Sequence, residues 1–341
     1  MISRTGISRS VVIFVLILLI AGFVYSCKGQ PHASSGFREP RESITIGAAL
    51  ETLSAPVIVA YENGYFSDEG LDVTMKYYTI GKLTLEALFA GEVNFAMPAE
   101  TPIVMNSFKR EDFYVIAGFV YDYDDSKIVV RTDRGIRTAS DLKGKRIGTT
   151  YGTSAQFLLD AYLSSSRVGK KELKFIDIPQ KDLPDALKRG EVDAIAAFEP
   201  YAYETMRGLQ ERTIRLPEAD LLRETFDLVA MKDFTKNHPD TIKKVLRAID
   251  RASTYIKQNK EDTIAVLTRK LNMDEEYLHA TWDDYKFGLY LDQTLILTLE
   301  DVAQWAITNN LTNKTKVPNY LNFIYFDGLE SVKPKAVRIM R

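Results

Sequence analysis

Two stretches decide the fold: LEALFAGEVNFAMPAET, residues 85–101, and PDALKRGEVDAIAAFEP, residues 184–200. At a constant offset of 99, Ala87, Leu88, Gly91, Glu92, Val93 and Glu100 recur as Ala186, Leu187, Gly190, Glu191, Val192 and Glu199, and Asn94 faces Asp193. Each copy predicts the end of a helix, a glycine stop, a buried strand and a loop carrying a glutamate and a proline. A second pair lies at offset 101: Ile46-Gly47 against Ile147-Gly148, and Ala60-Tyr61 against Ala161-Tyr162. Each half therefore runs strand, helix, strand, helix, strand. The strands are expected near 44–49, 72–78 and 93–97, and again near 145–149, 173–178 and 192–197. Alternation of this kind predicts an α/β fold with parallel-rich sheets and right-handed crossovers. The offset is too long for a solenoid repeat, so two similar lobes are the simpler expectation.

Outside the repeat, YVIAGFV (114–120) and FDLVAMK (226–232) predict strands, the second returning the chain to the first lobe. The last third is mainly helical. Ile242, Val245, Leu246, Ile249, Ala252 and Ile256 share one face of HPDTIKKVLRAIDRASTYIKQN, with Pro239 suited to its first turn. Thr298 and Asp301 suggest a capping box at the start of a further helix.

The chain has 341 residues, 45% hydrophobic, with charges of both signs intermixed, enough for one large or two medium cores. A net charge of −2 gives no electrostatic support for nucleic-acid binding. With one cysteine, Cys27, no intrachain disulfide forms, and His32, His238 and His279 lack metal-ligand spacing, so no metal or cofactor is expected. Arg4 and Arg9 precede the apolar run VVIFVLILLIAGFVY (11–25), shorter than the roughly 20 residues of a membrane span. Cys27 ends this run and looks like a bacterial lipoprotein acylation site. An uncleaved anchor or a signal peptide cut elsewhere are the alternatives. All three put the body of the protein outside the cytoplasmic membrane. Cleavage before Cys27 moves the net charge from −2 to −4. Residues 27–43 suit a flexible tether. The expected organisation is thus leader 1–26, tether 27–43, lobe one from 44–123 and 231–341, and lobe two from 124–230.

In open α/β sheets, ligands bind beyond the carboxyl ends of the strands. Four loops meet that description. Lobe one supplies Glu51 and Thr52, then Glu100 and Thr101. Lobe two supplies Tyr151, Gly152, Thr153 and Ser154, then Phe198 and Glu199. Gly152 permits a tight turn, and Thr153 or Ser154 caps the following helix, leaving first-turn N–H groups for an anion or polar ligand. Tyr121 and Tyr123 are candidate cleft walls, while Asp122, Asp124 and Asp125 are expected in solvent. Buried carboxylates need partners. Glu51, Glu100 and Glu199 either meet an amine or amidine edge of a ligand, or cap helices and pair with lysines. Lys82 is the nearest candidate cation, and the loops hold no arginine.

The segments AYENGYFSDEGLDV (60–73), LFAGEVNFAMP (88–98), DLKGKRIGTTYGTSA (141–155) and LKRGEVDAIAAFEPYA (187–202), taken together, resemble the periplasmic solute-binding proteins of ABC importers for nitrate, sulfonate, taurine and thiamine-type pyrimidines. The resemblance covers about residues 44–310. It implies a two-lobed type II periplasmic binding fold with two crossover strands, in which a monomer closes on a small solute and docks on a membrane permease. It matches Gly152, Thr153 and Ser154 to the family's second-lobe ligand loop, and Glu199-Pro200 to its glutamate-proline turn. The solute is left open between a sulfonate or taurine-like compound and a pyrimidine or amine. A ligand-sensing module and a lyase-type enzyme on the same fold are the competing classes. The absence of histidine and cysteine from the loops weighs against the enzyme.

Overall fold

The computed structural model describes residues 41–217 and 222–341. The leader and Cys27 lie outside them. Among the described residues, no helix is long and apolar enough to cross a membrane.

The described residues form eleven strands, β1 (Glu42–Ala49), β2 (Leu71–Tyr78), β3 (Phe113–Asp122), β4 (Ser126–Arg131), β5 (Arg146–Thr149), β6 (Lys174–Asp177), β7 (Ala194–Phe198), β8 (Thr213–Arg215), β9 (Glu224–Met231), β10 (Lys286–Asp292) and β11 (Val337–Arg338). β1 takes in Glu42 and Ser43, which the sequence had assigned to the tether. β1 and β2 pair in parallel, and β11-β10-β3-β9 form a second ladder. The strand expected at 93–97 shrinks to single bridges, Phe95 to Ile46 and Ala96 to Val229, which join those two ladders. The other sheet has the order β6-β5-β7-β4-β8. β5 is parallel to β6 and β7, whereas β4 is antiparallel to β7 and β8, so the sheets are mixed. β9 pairs antiparallel with β3, which puts residues 224–230 with the first sheet and not in the stretch assigned by sequence to lobe two.

Helices cover both faces of the second sheet, and its strands show why. Ile128 and Val130 of β4, with Ala194, Ala196 and Phe198 of β7, pack into one apolar cluster. Their alternates Val129, Ile195 and Ala197 pack into another on the opposite face. A period of two with apolar residues at every position is what a sheet buried on both sides requires. The first sheet shares a single larger core with α1 (Ala55–Glu62) and the long α7 (Pro239–Gln258), whose six predicted face residues are all buried there. The longer intervening helices are α2 (Gly81–Phe89), α3 (Glu100–Ser107), α4 (Ser154–Ser165), α5 (Leu183–Arg189) and α6 (Tyr201–Leu209). The later helix α8 (Gln293–Thr308) begins five residues before the expected capping box. Asp292 caps it by accepting from the Leu295 N–H, and Thr298 falls mid-helix.

The internal repeat holds down to single hydrogen bonds. After α2, Gly91 N–H donates to Leu88 C=O and Glu92 N–H to Ala87 C=O. After α5, Gly190 N–H donates to Leu187 C=O and Glu191 N–H to Ala186 C=O. Both glycines are left-handed, at φ 74° and 77°, as this helix stop demands. Asn94 Oδ1 accepts from Thr45 N–H in β1, and Asp193 Oδ2 accepts from Arg146 N–H in β5. Asp193 adds ion pairs to Arg134 and Arg146, which hold its carboxyl well below the ordinary range. The repeat itself therefore ranks two substitutions. Asp193→Asn keeps the bond that Asn94 makes and should cost less than Asp193→Ala, which loses all of these bonds and should cost about 2 kcal/mol. Denaturant unfolding of both variants checks the order.

Candidate functional site

The chain crosses between the sheets twice, from β3 into β4 and from β8 into β9. The crossings run side by side, because Ser126 N–H donates to Glu224 Oε1 at 2.8 Å. Against them lies a narrow cavity of about 30 Å³, lined from both sheets. Leu53, Ile80, Phe198 and Phe226 give it apolar walls, and Glu51, Asp125 and Glu224 are its carboxylates. Apolar walls with a few polar groups suit a small organic molecule.

Four elements place those carboxylates. Glu51 follows β1 and accepts from the N–H of Gly81 at the start of α2. Gly81 has no room for a side chain, since a Cβ would lie 2.8 Å from the Met97 carbonyl and the Phe226 ring. Asp125 sits on the first crossing and Glu224 on the second. Burial pushes Glu51 up from 4.5 to about 8, with the Glu224 charge adding to it. Glu224 is likewise raised to about 8 by burial and by Glu100. Asp125 is raised well above its ordinary value by burial and by Glu224. Tyr285 Oη donates to Asp125 Oδ1 at 3.1 Å, and behind it Tyr277 and Thr52 extend a buried chain of hydroxyls.

Of the residues expected at the site, Glu51, Thr153, Ser154 and Phe198 line the cavity. Glu100 is fully buried beside it and spoken for: Thr101 Oγ1, Ser154 Oγ and Thr225 N–H all donate to its carboxylate. Thr101 thus serves Glu100, and Thr52 serves Tyr277. Glu199 does not line the cavity. It forms a buried ion pair with Lys127 at 2.8 Å, accepts from Tyr203 N–H in α6, and precedes the cis peptide to Pro200. Gly152 is left-handed at φ 73°, and its N–H donates to Gln156 Oε1. Tyr151 faces outward, and its carbonyl accepts from Lys82 Nζ at 3.1 Å. Tyr121 lies elsewhere, under the Arg223 guanidinium and edge-on to Tyr290. Thr153 occupies the cap position of α4 but makes no side-chain cap. Its hydroxyl donates to the Thr150 carbonyl instead.

Asp122 and Asp125 are buried, against the expectation of solvent, while Asp124 pairs with Arg215. Glu224 and Thr225 were missed because they precede a predicted strand by two residues and one, and Asp125 because it lies in an acidic run after another. Acid residues at a strand end look like solvated turn residues until the crossings are known to run together. His238 and His279 lie at the surface with glutamate partners.

Two sheets joined by paired crossings, with a cavity at the joint, define a type II periplasmic binding fold. Residues 51–263 match the family described as NMT1/THI5 like, and the chain belongs to that family. A putative aliphatic sulfonates-binding protein of Bacillus subtilis is 25% identical over 76% of this chain and 79% of its own length. The crystal structure of the periplasmic aliphatic sulphonate binding protein SsuA from Escherichia coli superposes with a TM-score of 0.71 at 18% identity, covering 83% of this chain and 97% of that one. The desulfurization enzyme DSZB shares the fold at a TM-score of 0.63 and 15% identity, covering 86% and 99%.

Two outcomes follow from this geometry. Between pH 4.5 and about 8 the folded protein holds protons on Glu51 and Glu224 that the unfolded chain has released. The ligand-free protein should therefore lose stability as pH rises through that window, on the order of a few kcal/mol per group. Glu51→Gln should flatten the slope in unfolding measured from pH 5 to 8.5 (roughly the span the linkage needs). Glu199→Ala strands a buried Lys127 and should cost about 3–5 kcal/mol, whereas exposed Glu92→Ala should cost little. Denaturant titration compares the two.

Proposed function

We propose that this chain is the extracytoplasmic solute-binding protein of an ABC importer. It captures a small organic solute in the cavity at the crossings and delivers it to a membrane permease. The observation that carries this is the cavity itself, lined by loops of both sheets where the chain passes between them. Family membership and the relatives named as binding proteins support the same reading. In this reading lobe one is 44–123 with everything from β9 onward, and lobe two runs from Asp124 to the start of β9. The protein works as a monomer, tethered through a lipid on Cys27. Binding without turnover is favoured over a reaction of the DSZB kind, because no histidine or cysteine is among the described residues that line the cavity.

The test is thermal unfolding of the full-length chain against alkylsulfonates, taurine, nitrate, pyrimidines and amines. One class should raise the midpoint by several degrees, as a ligand near 100 times its dissociation constant adds roughly 2.7 kcal/mol. Ala99→Phe, which fills the cavity, should abolish the shift. The solute should be recovered chemically unchanged, and its conversion would instead place the protein with the enzyme.

A further inference from the structure

Acids outnumber bases in the cavity lining, three carboxylates against Lys82. Glu51, Asp125 and Glu224 face the cavity from three separate segments, each less than a tenth exposed. None of the three forms an ion pair among the described residues. The nearby cations are engaged elsewhere. Lys127 is paired with Glu199, Arg223 is paired with Asp292 and stacked on Tyr121 and Tyr290, and Lys82 reaches over the rim to the Tyr151 carbonyl.

Two of the polar groups that an oxyanion would use, the Ser154 hydroxyl and the Gly152 N–H, are taken. A ligand anion on this fold would be expected at the start of α4, where the first-turn N–H groups and the helix dipole favour negative charge. The protein has put its own anion there. Glu100 accepts from Ser154 Oγ, and Gly152 N–H is given to Gln156. Burying three carboxylates without a counter-charge is costly unless they hold protons, and an entering cation can take the place of those protons. Among the described residues, no group of acids is arranged to hold a metal ion. Phe198 and Phe226 on the walls suit a flat, partly apolar body.

We infer that the solute is a compact organic cation, an amine or amidine-type base whose charged edge lies among Glu51, Asp125 and Glu224 and whose body packs between the phenylalanines. This rests on the cavity being the solute site, and it departs from the sulfonate named for the relatives.

Three isosteres separate the possibilities: benzamidine as the cation, benzamide as its neutral match and benzenesulfonate as the anion. Each is titrated into the full-length chain in mild detergent at pH 8, followed by thermal unfolding and calorimetry. Benzamidine should raise the midpoint, with benzamide and benzenesulfonate silent. Glu51→Gln and Glu224→Gln should each weaken benzamidine by about tenfold to a hundredfold, the worth of one bond to a charged group. Both variants should also unfold at a higher temperature than the parent when empty, because an uncompensated carboxylate has been removed. Stabilisation by benzenesulfonate but not benzamidine would overturn the cation and leave the cavity as the solute site. Silence from all three, with Glu51→Gln unfolding no higher than the parent, would overturn both.

Discussion

One fully buried carboxylate joins the parts on which the site depends. Glu100 begins α3 on the first sheet, takes a hydroxyl from Ser154 at the start of α4 on the second, and takes the Thr225 N–H from the second crossing. A charge in that position is tolerable only because it is met by several donors and by the positive end of a helix. Losing any of them would leave an unsatisfied carboxylate at the joint, so helix start, crossing and sheet are fixed relative to one another. The cavity is the space left beside that knot.

The second knot is Glu199 with Lys127, at the place in the second half that Glu100 holds in the first. Glu100 and Glu199 occupy equivalent places after equivalent helix stops, yet each has found a different partner. In the first half the glutamate is bound by hydroxyls and an amide, and in the second by a lysine on β4. The same divergence separates Asn94 from Asp193. The shared element is the backbone bond to the first strand of each half, and the extra charge on Asp193 recruits two arginines. The two halves share this backbone geometry and differ in side-chain electrostatics.

Much of this was legible in the sequence because the signals were local. The glycine stops, the alternation of strand and helix and the face of α7 are short-range patterns, and the structure follows them closely. The short strand at 93–97 failed as a ladder because its neighbours meet it only at single bridges. The start of α8 was misplaced because an aspartate at 292 caps as well as any capping box. Half of the site was hidden for a different reason. Whether a loop residue faces the cavity or its neighbour depends on long-range partners: Thr52 on Tyr277, Thr101 on Glu100, Glu199 on Lys127. Spacing carries no information about such pairs. Asp125 and Glu224 lie 99 residues apart in the chain, and only the antiparallel pairing of β3 with β9 brings the two crossings together.

The charge of the cavity also shows how far kinship reaches. The fold sets where a ligand sits, and the backbone of this chain follows that of its sulfonate-binding relatives over most of its length. Ligand charge is set by a handful of side chains that the backbone does not dictate. Here the start of α4 faces a glutamate of the protein itself, and three more carboxylates face the space beyond it. With the pKa of Glu51 and Glu224 raised to about 8, the empty cavity remains largely protonated at neutral pH. A cation entering it would displace those protons, so capture and proton release are coupled, and affinity should strengthen as the pH rises towards 8. An anion would face the opposite linkage, since it would have to keep every one of those protons in place.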